Sequence, residues 1–240
     1  MMVRTLNLPP RGLFVTGTDT EAGKTYVSTL IVKGLVDAGY RVGVYKPAAS
    51  GCVHDGQALV SQDALALWNA AGQPLTLDDV CPQRFRAALA PHLAARIEGK
   101  TIDTDRLRKG IEAWSDQCDI VIVEGLGGLM SPVSDQEYVA DLAIDFGYPL
   151  VVVARNMLGV INQTMLTLIA ASCFRDGLQV AGIILNDLQP FSSDSSQDSN
   201  LEEISRRSLS PVLGRVHYQQ TEFHPAIDWF ALSGSGNKRD

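Results

Sequence analysis

Short apolar, β-branched runs recur along this chain, each followed by a stretch with helical spacing of apolar positions. Residues 13–16 precede a helical pattern over 24–38, and residues 41–45 precede a loop and a second pattern over 63–71. Residues 120–123, 150–154, 180–185 and 212–216 read as further strands. Several of these runs are apolar almost without interruption, which predicts strands covered on both faces, as in a parallel sheet. Alternation with helices then predicts an α/β fold with a mostly parallel central sheet and helices on both faces. Residues 1–231 are expected to form one domain. Residues 190–200 (PFSSDSSQDSN) are polar and serine-rich and predict a mobile surface loop, and 232–240 predict a disordered tail.

Ligands of such sheets gather beyond the carboxyl ends of the strands, so the ends of the apolar runs carry the chemical information. The first run ends in GTDTEAGKT, residues 17–25. A strand, a glycine-containing loop ending in Gly-Lys-Thr and a helix form the context of a phosphate-binding loop, and with it a P-loop NTPase-type fold. The spacing departs from G-x-x-x-x-G-K-[ST]: five residues separate Gly17 from Gly23, and Thr18 stands at the usual first glycine. Backbone N–H groups at the helix start favour an anion there. Lys24 would reach the β- and γ-phosphates, and the Thr25 hydroxyl would ligate Mg²⁺. The polar bulge Thr18, Asp19, Thr20 and Glu21 points to a second reactant beside the terminal phosphate, with solvated loop residues the plainer reading; Ala22, Gly23 and Tyr26 in and beside the motif are expected at the nucleotide.

The second run ends in YKPAASG. Lys46 there is either a solvated charge or a cation for a transferring phosphoryl group and a reacting carbonyl oxygen. Ser50 could hydrogen-bond an amine or a carbamate, and Gly51 would let the backbone come close. The third run ends in Glu124, where a carboxylate suits Mg²⁺, followed by Gly125, Leu126, Gly127 and Gly128, a backbone-rich turn. Asp63 lies near a helix start, where Ser61 or Asp63 could be a cap. The fifth run ends in Asn186 and Asp187. The Asn186 amide can pair with adenine, or can simply form a turn.

The sequence GTDTEAGKT, with YKPAASG, VEGLGGLMSPVSD, LGVINQTMLT and GIILND following in order over about residues 13–187, closely resembles the dethiobiotin synthetase family of biotin synthesis. The resemblance implies an ATP-dependent ligase that closes a ureido ring from 7,8-diaminononanoate and CO₂, through a carbamate and a carbamic–phosphoric anhydride. It implies Thr25, Asp63 and Glu124 at Mg²⁺, an oxygen-only shell that this ion prefers, and Asn186 at the base. It implies Lys24, Lys46, Thr20 and Ser50 in catalysis. Leu158, Gly159, Val160 and Asn162 would hold the substrate's carboxylate tail at a dimer contact, so that a homodimer shares its active site. The family's usual His after the INx start is Gln163 here, and the Pro and aromatic residue expected near the base after Val216 are His217 and Tyr218.

Two other functions fit parts of the pattern. Partitioning or switch ATPases of the deviant phosphate-loop type place a lysine where this chain has Asp19. Cobyrinate-type amide ligases share the extended loop but generally carry a glutaminase domain, for which 240 residues leave no room. The net charge of −7 argues against nucleic acid as a partner. No run is long and apolar enough to suggest a membrane partner, residues 1–11 lack the apolar core of a secretory signal, and the four scattered cysteines read as reduced thiols. Together these predict a cytoplasmic protein.

Overall fold

A computed structural model describes residues 6–56, 58–190 and 193–236. Six strands form the central sheet: β1 (Gly12–Gly17), β2 (Val42–Tyr45), β3 (Ile120–Gly128), β4 (Leu150–Arg155), β5 (Val180–Asn186) and β6 (Val212–Val216). Their order across the sheet is β6-β5-β4-β1-β3-β2, and every pairing is parallel. The unbroken apolar runs have the predicted cause: β1 and β2 are buried along their whole length, so neither face can carry a polar alternation. After β3 the chain crosses to the other side of β1. That reversal places a crevice beside the carboxyl end of β1.

Helix α1 (Lys24–Asp37) opens directly from the β1 loop and packs against α2 (Gln62–Ala70). Ser61 caps α2, its Oγ accepting from the Ala64 amide at 3.2 Å, which satisfies one orphan donor of the first turn. The cap therefore falls to Ser61 and leaves the Asp63 carboxylate for other work. Further along lie α3 (Pro91–Ile97), α4 (Val139–Phe146), α5 (Val160–Cys173), α6 (Asn200–Arg207) and α7 (Trp229–Leu232).

Three expectations are corrected. First, β3 does not stop at Glu124. The strand continues through Gly125, Leu126 and Gly127 to Gly128, which pairs with Gly17 past a register shift in β1. Gly125 serves close packing within the fold: a Cβ there would lie 3.0 Å from Phe14 and 3.1 Å from Val139. Second, much of 190–200 is structured. Asp194 caps a 3₁₀ turn over Ser195–Asp198, and Leu158 donates its amide to Asp194 Oδ2 at 2.6 Å. Residues 191 and 192 lie outside the described residues. Third, the predicted tail begins inside α7, and Gly234 exchanges backbone hydrogen bonds with Gly12 at 2.9 and 3.2 Å. Arg11 reinforces that closure, donating to Ser233 Oγ at 2.8 Å. Residues 237–240 lie outside the described residues.

Candidate active site

The β1–α1 loop is held by backbone geometry more than by side-chain caps. Gly23 sits at the start of α1 with φ +81°, in the left-handed region that favours glycine, and no side chain caps the helix. A Cβ on Gly23 would fall 2.1 Å from Asn186 Nδ2, so the close approach of β5 also demands glycine. The uncapped first turn leaves N–H donors for an anion. Lys24 folds over the bulge, donating to the carbonyls of Asp19 at 3.2 Å and Thr20 at 3.0 Å. Burial, opposed in part by Glu124 and reinforced by Lys46, lowers the Lys24 pKa to about 8.

Lys46 lies one residue beyond β2, with its amide anchored to the Val80 carbonyl at 2.8 Å. Its ammonium enters the crevice: Nζ is 2.5 Å from Glu124 Oε1 and 3.1 Å from Asp63 Oδ2. Thr25 Oγ1 also donates to Glu124 Oε1, at 2.9 Å. The Lys46 side chain is 5% exposed and that of Glu124 is 0% exposed. Burial opposes the Lys46 charge, but Glu124 and Asp63 outweigh it and raise its pKa. Burial likewise opposes the Asp63 charge, and Lys46 outweighs it, so Asp63 is held below the usual carboxylate range. Removing one member of a buried pair costs about 3–5 kcal/mol, so Lys46 and Glu124 depend on each other.

Thr25, Asp63 and Glu124 thus present hard oxygens around one point. Glu124 Oε2 is buried without a hydrogen-bond partner among the described residues, a costly condition for a carboxylate oxygen. That orphan and the all-oxygen donor set fit Mg²⁺, which takes one or two carboxylates and completes its shell with phosphate and water. No group of three or more His, Cys, Asp or Glu side chains could hold a metal among the described residues. Two carboxylates and a hydroxyl leave the rest of such a shell to phosphate oxygens and water.

These groups open into a cavity of about 760 Å³, within the range of small-molecule sites. Thr20, Glu21, Gly23, Lys24, Thr25, Lys46, Ser50, Asp63, Glu124, Leu126 and Gly127, all anticipated from sequence, line it. Ala88 to Pro91, Ser131 and Pro132 also line it, and sequence reasoning missed them. The 88–91 wall is delivered by tertiary pairing: Ala48–Ala49 pairs with Gln83–Arg84, and the Gly51 amide donates to the Ala87 carbonyl at 3.1 Å. Ser131 had a local signal, because Gly127 (φ +67°) bends the chain back and Gly128 donates to Ser131 Oγ at 2.9 Å.

The remaining anticipated residues lie outside that cavity. Ala22 is buried behind the loop and Gly128 flanks it. Thr18 donates its amide to Val153 at 2.9 Å. Asp19, with Thr20 and Glu21, lines a separate 250 Å³ hollow beside Arg155, Met157 and Gln163. Asn186 is buried; its Nδ2 donates to the Ala22 carbonyl at 3.1 Å, and its Oδ1 has no partner among the described residues.

Asp187, which follows the fifth apolar run, has its carboxylate engaged within the fold. Its carboxylate accepts from Asn156 at 2.8 Å and Arg215 at 2.8 Å and contacts His217 Nδ1 at 3.1 Å, so it braces β5 against β6. Val216 is buried and accepts the Asp187 amide at 2.8 Å, which makes it a sheet residue. Tyr26 ties α1 to the β6 loop through Gln220 at 2.6 Å. His217 and Tyr218 are exposed on that loop.

At the start of α5, Gly159 has φ +96°, Val160 is buried, and Leu158 and Asn162 face solvent. The Leu158 amide donates to Asp194 and that of Val160 to the Met157 carbonyl.

A family model described as AAA domain matches residues 11–222. The chain is 44% identical over 215 residues to the ATP-dependent dethiobiotin synthetase BioD of Rhodopirellula baltica, covering 85% of this chain and 82% of that one. It is 38% identical over 210 residues to the enzyme of the same name from Akkermansia muciniphila, covering 88% and 93%. Among solved structures it resembles a ParA family ATPase from Chlorobium tepidum, with TM-score 0.55 and 17% identity over 89% of this chain and 85% of that one. It also resembles cobyrinic acid a,c-diamide synthase from Mycobacterium smegmatis with bound ATP analogue and magnesium, with TM-score 0.51 and 18% identity over 85% of each chain. Likenesses at those identities establish the phosphate-loop α/β fold alone. The matches at 38–44% identity, spread over most of both chains, establish more: the chain belongs to the ATP-dependent dethiobiotin synthetase family.

Proposed function

We propose that this chain uses ATP to close the ureido ring of dethiobiotin from 7,8-diaminononanoate and CO₂, releasing ADP and phosphate. The observation that carries this reading is the meeting of Lys24, Lys46, Thr20 and Ser50, from two separate strand ends, in one cavity. One substrate amine takes up CO₂ as a carbamate. A carbamate oxygen attacks the γ-phosphorus and displaces ADP; the second amine then attacks the carbamoyl carbon, expelling phosphate and closing the ring. Each step builds negative charge on oxygen near two ammonium groups and the uncapped α1 turn. Positioning and electrostatic stabilisation thus suffice, without a protein nucleophile.

Thr25, Asp63 and Glu124 would hold Mg²⁺, which offsets charge on the phosphate oxygens. Thr20 and Ser50 would fix the carbamate and the free amine. Asn186 and the His217–Tyr218 loop would receive the base, and the buried, unpartnered Asn186 Oδ1 supports an acceptor role toward an amino group. Asp19 at the position of the lysine used by partitioning ATPases argues against a switch function.

We further propose a cytoplasmic homodimer in which α5 meets its counterpart and offers Gly159 and Asn162 to the partner's substrate. Leu166 and Ile169 on this helix are 58% and 57% exposed, and Leu158 just before it is 75% exposed, an apolar group that pairing would cover. No helix among the described residues is long and apolar enough to cross a membrane. Sedimentation of a Leu166→Glu, Ile169→Glu variant should show a monomer of low turnover; an unchanged mass would remove the α5 interface. The ligase reading itself is tested by phosphate release with diaminononanoate or bicarbonate omitted in turn. Release should need both, and ATP turnover indifferent to the diamine would end the reading.

A further inference from the structure

The Lys46 ammonium stands where a metal would have to share ligands. It contacts both Glu124 Oε1 and Asp63 Oδ2, and the same Glu124 oxygen accepts from Thr25. These are the three side chains assigned to Mg²⁺ above, so the inference rests on that part of the proposed function. Charge bookkeeping makes the overlap consequential. Glu124 and Asp63 supply two negative charges, and Lys46 and Lys24 already supply two positive ones. A bare divalent cation entering this buried cluster would add two uncompensated charges close to two ammonium groups. A metal–nucleotide complex instead brings the negative charge that lets Lys46 leave its carboxylates.

From this geometry we infer that Lys46 is a placeholder cation: it holds the metal ligands in the nucleotide-free protein and is released toward the reacting groups only when metal arrives with nucleotide. Two consequences follow for binding. Free metal is kept out, so the site does not fill with a divalent ion that would have to be expelled before nucleotide enters. Lys46 is also delivered to the phosphoryl end in step with metal binding, because one exchange of partners does both. Glu124 keeps a cation throughout, which its complete burial requires.

The test reads metal binding and not turnover. Mn²⁺ binding to the nucleotide-free protein is titrated by electron paramagnetic resonance for the wild type, Lys46→Gln, Lys46→Arg and the double variant Lys46→Gln, Glu124→Gln. Lys46→Gln should bind Mn²⁺ at least about tenfold more tightly than wild type, because one competing charge is gone. Lys46→Arg, which keeps a cation, should show no such gain, and the double variant should lose it. With ADP present the wild type should bind Mn²⁺ well, and the gap between wild type and Lys46→Gln should shrink. Lys46→Met, of similar length, replaces Lys46→Gln if thermal unfolding shows that the latter is not folded.

An unchanged or weaker nucleotide-free affinity in the neutral variants, with wild type and ADP still binding Mn²⁺, would overturn the placeholder while leaving the metal ligands in place. Absence of Mn²⁺ binding even with ADP would overturn both the placeholder and the assignment of Thr25, Asp63 and Glu124.

Discussion

The phosphate end and the base end of the proposed nucleotide site are built in opposite ways. At the phosphate end, Lys24, Lys46, Glu124 and Asp63 come from α1, the residue after β2, β3 and α2 and balance one another's charge, three of them largely out of water. At the proposed base end, the groups offered to a nucleotide would be a neutral amide, Asn186, and an exposed loop carrying His217 and Tyr218, while the buried carboxylate there, Asp187, is engaged with its own neighbours. Charge concentrated under cover favours chemistry, since electrostatic terms grow as water is excluded. Neutral groups beside an open loop suit recognition, where each contact contributes modestly.

The difference can be broken most sharply at Lys46. Lys46→Ala should lower diamine-dependent turnover on the order of 10²–10³-fold, as for a lost oxyanion donor, with nucleotide affinity far less affected; steady-state kinetics and calorimetry separate the two. Gly23→Ala comes next, because it strikes the joint between the two ends. The left-handed φ and the 2.1 Å approach to Asn186 Nδ2 predict a loss of about 1–3 kcal/mol, read by thermal unfolding, together with weaker nucleotide binding.

A pH titration sharpens the comparison further. Lys24 in the free protein is lowered to about 8, so below that pH it is protonated and attracts phosphate. Above it the charge is lost, and bound phosphate favours the protonated form. Nucleotide affinity should thus be flat below about pH 8 and fall above it by up to about tenfold per pH unit. Lys24→Arg should remove that fall. His217→Ala should do least, shifting stability within about 0.5 kcal/mol, since its side chain is 67% exposed and its contact with Asp187 duplicates those of Arg215 and Asn156.

The phosphate end was also the more legible in sequence, for a related reason. Strand, glycine loop, Gly-Lys-Thr and helix are contiguous, so local chemistry fixes their arrangement, and Lys46 and Glu124 follow apolar runs that are unmistakable. Ser61 against Asp63 as the α2 cap stayed open until the fold placed Lys46 beside Asp63. Ala88 to Pro91 carried no signal, because they reach the cavity through pairing between residues about 35 positions apart. The run Gly125–Gly128 looked like a turn since glycine permits one, yet pairing with β1 extends it as strand. Asp187 closes an apolar run as Glu124 does, and only the arrival of Arg215 from the next strand distinguishes its role. Polarity suggested looseness at 190–200, where Asp194 in fact fastens the segment to Leu158.

The central claim is that the two lysines and the lengthened loop bring a CO₂ adduct of the diamine to the terminal phosphate. Its most direct measurement is incorporation of labelled bicarbonate into product alongside ADP formation in a single turnover. One labelled carbon per ADP is expected in the wild type, with both signals lost together in Lys46→Ala. ADP formed at the wild-type rate without label entering product, or label uptake untouched by the loss of Lys46, would contradict it.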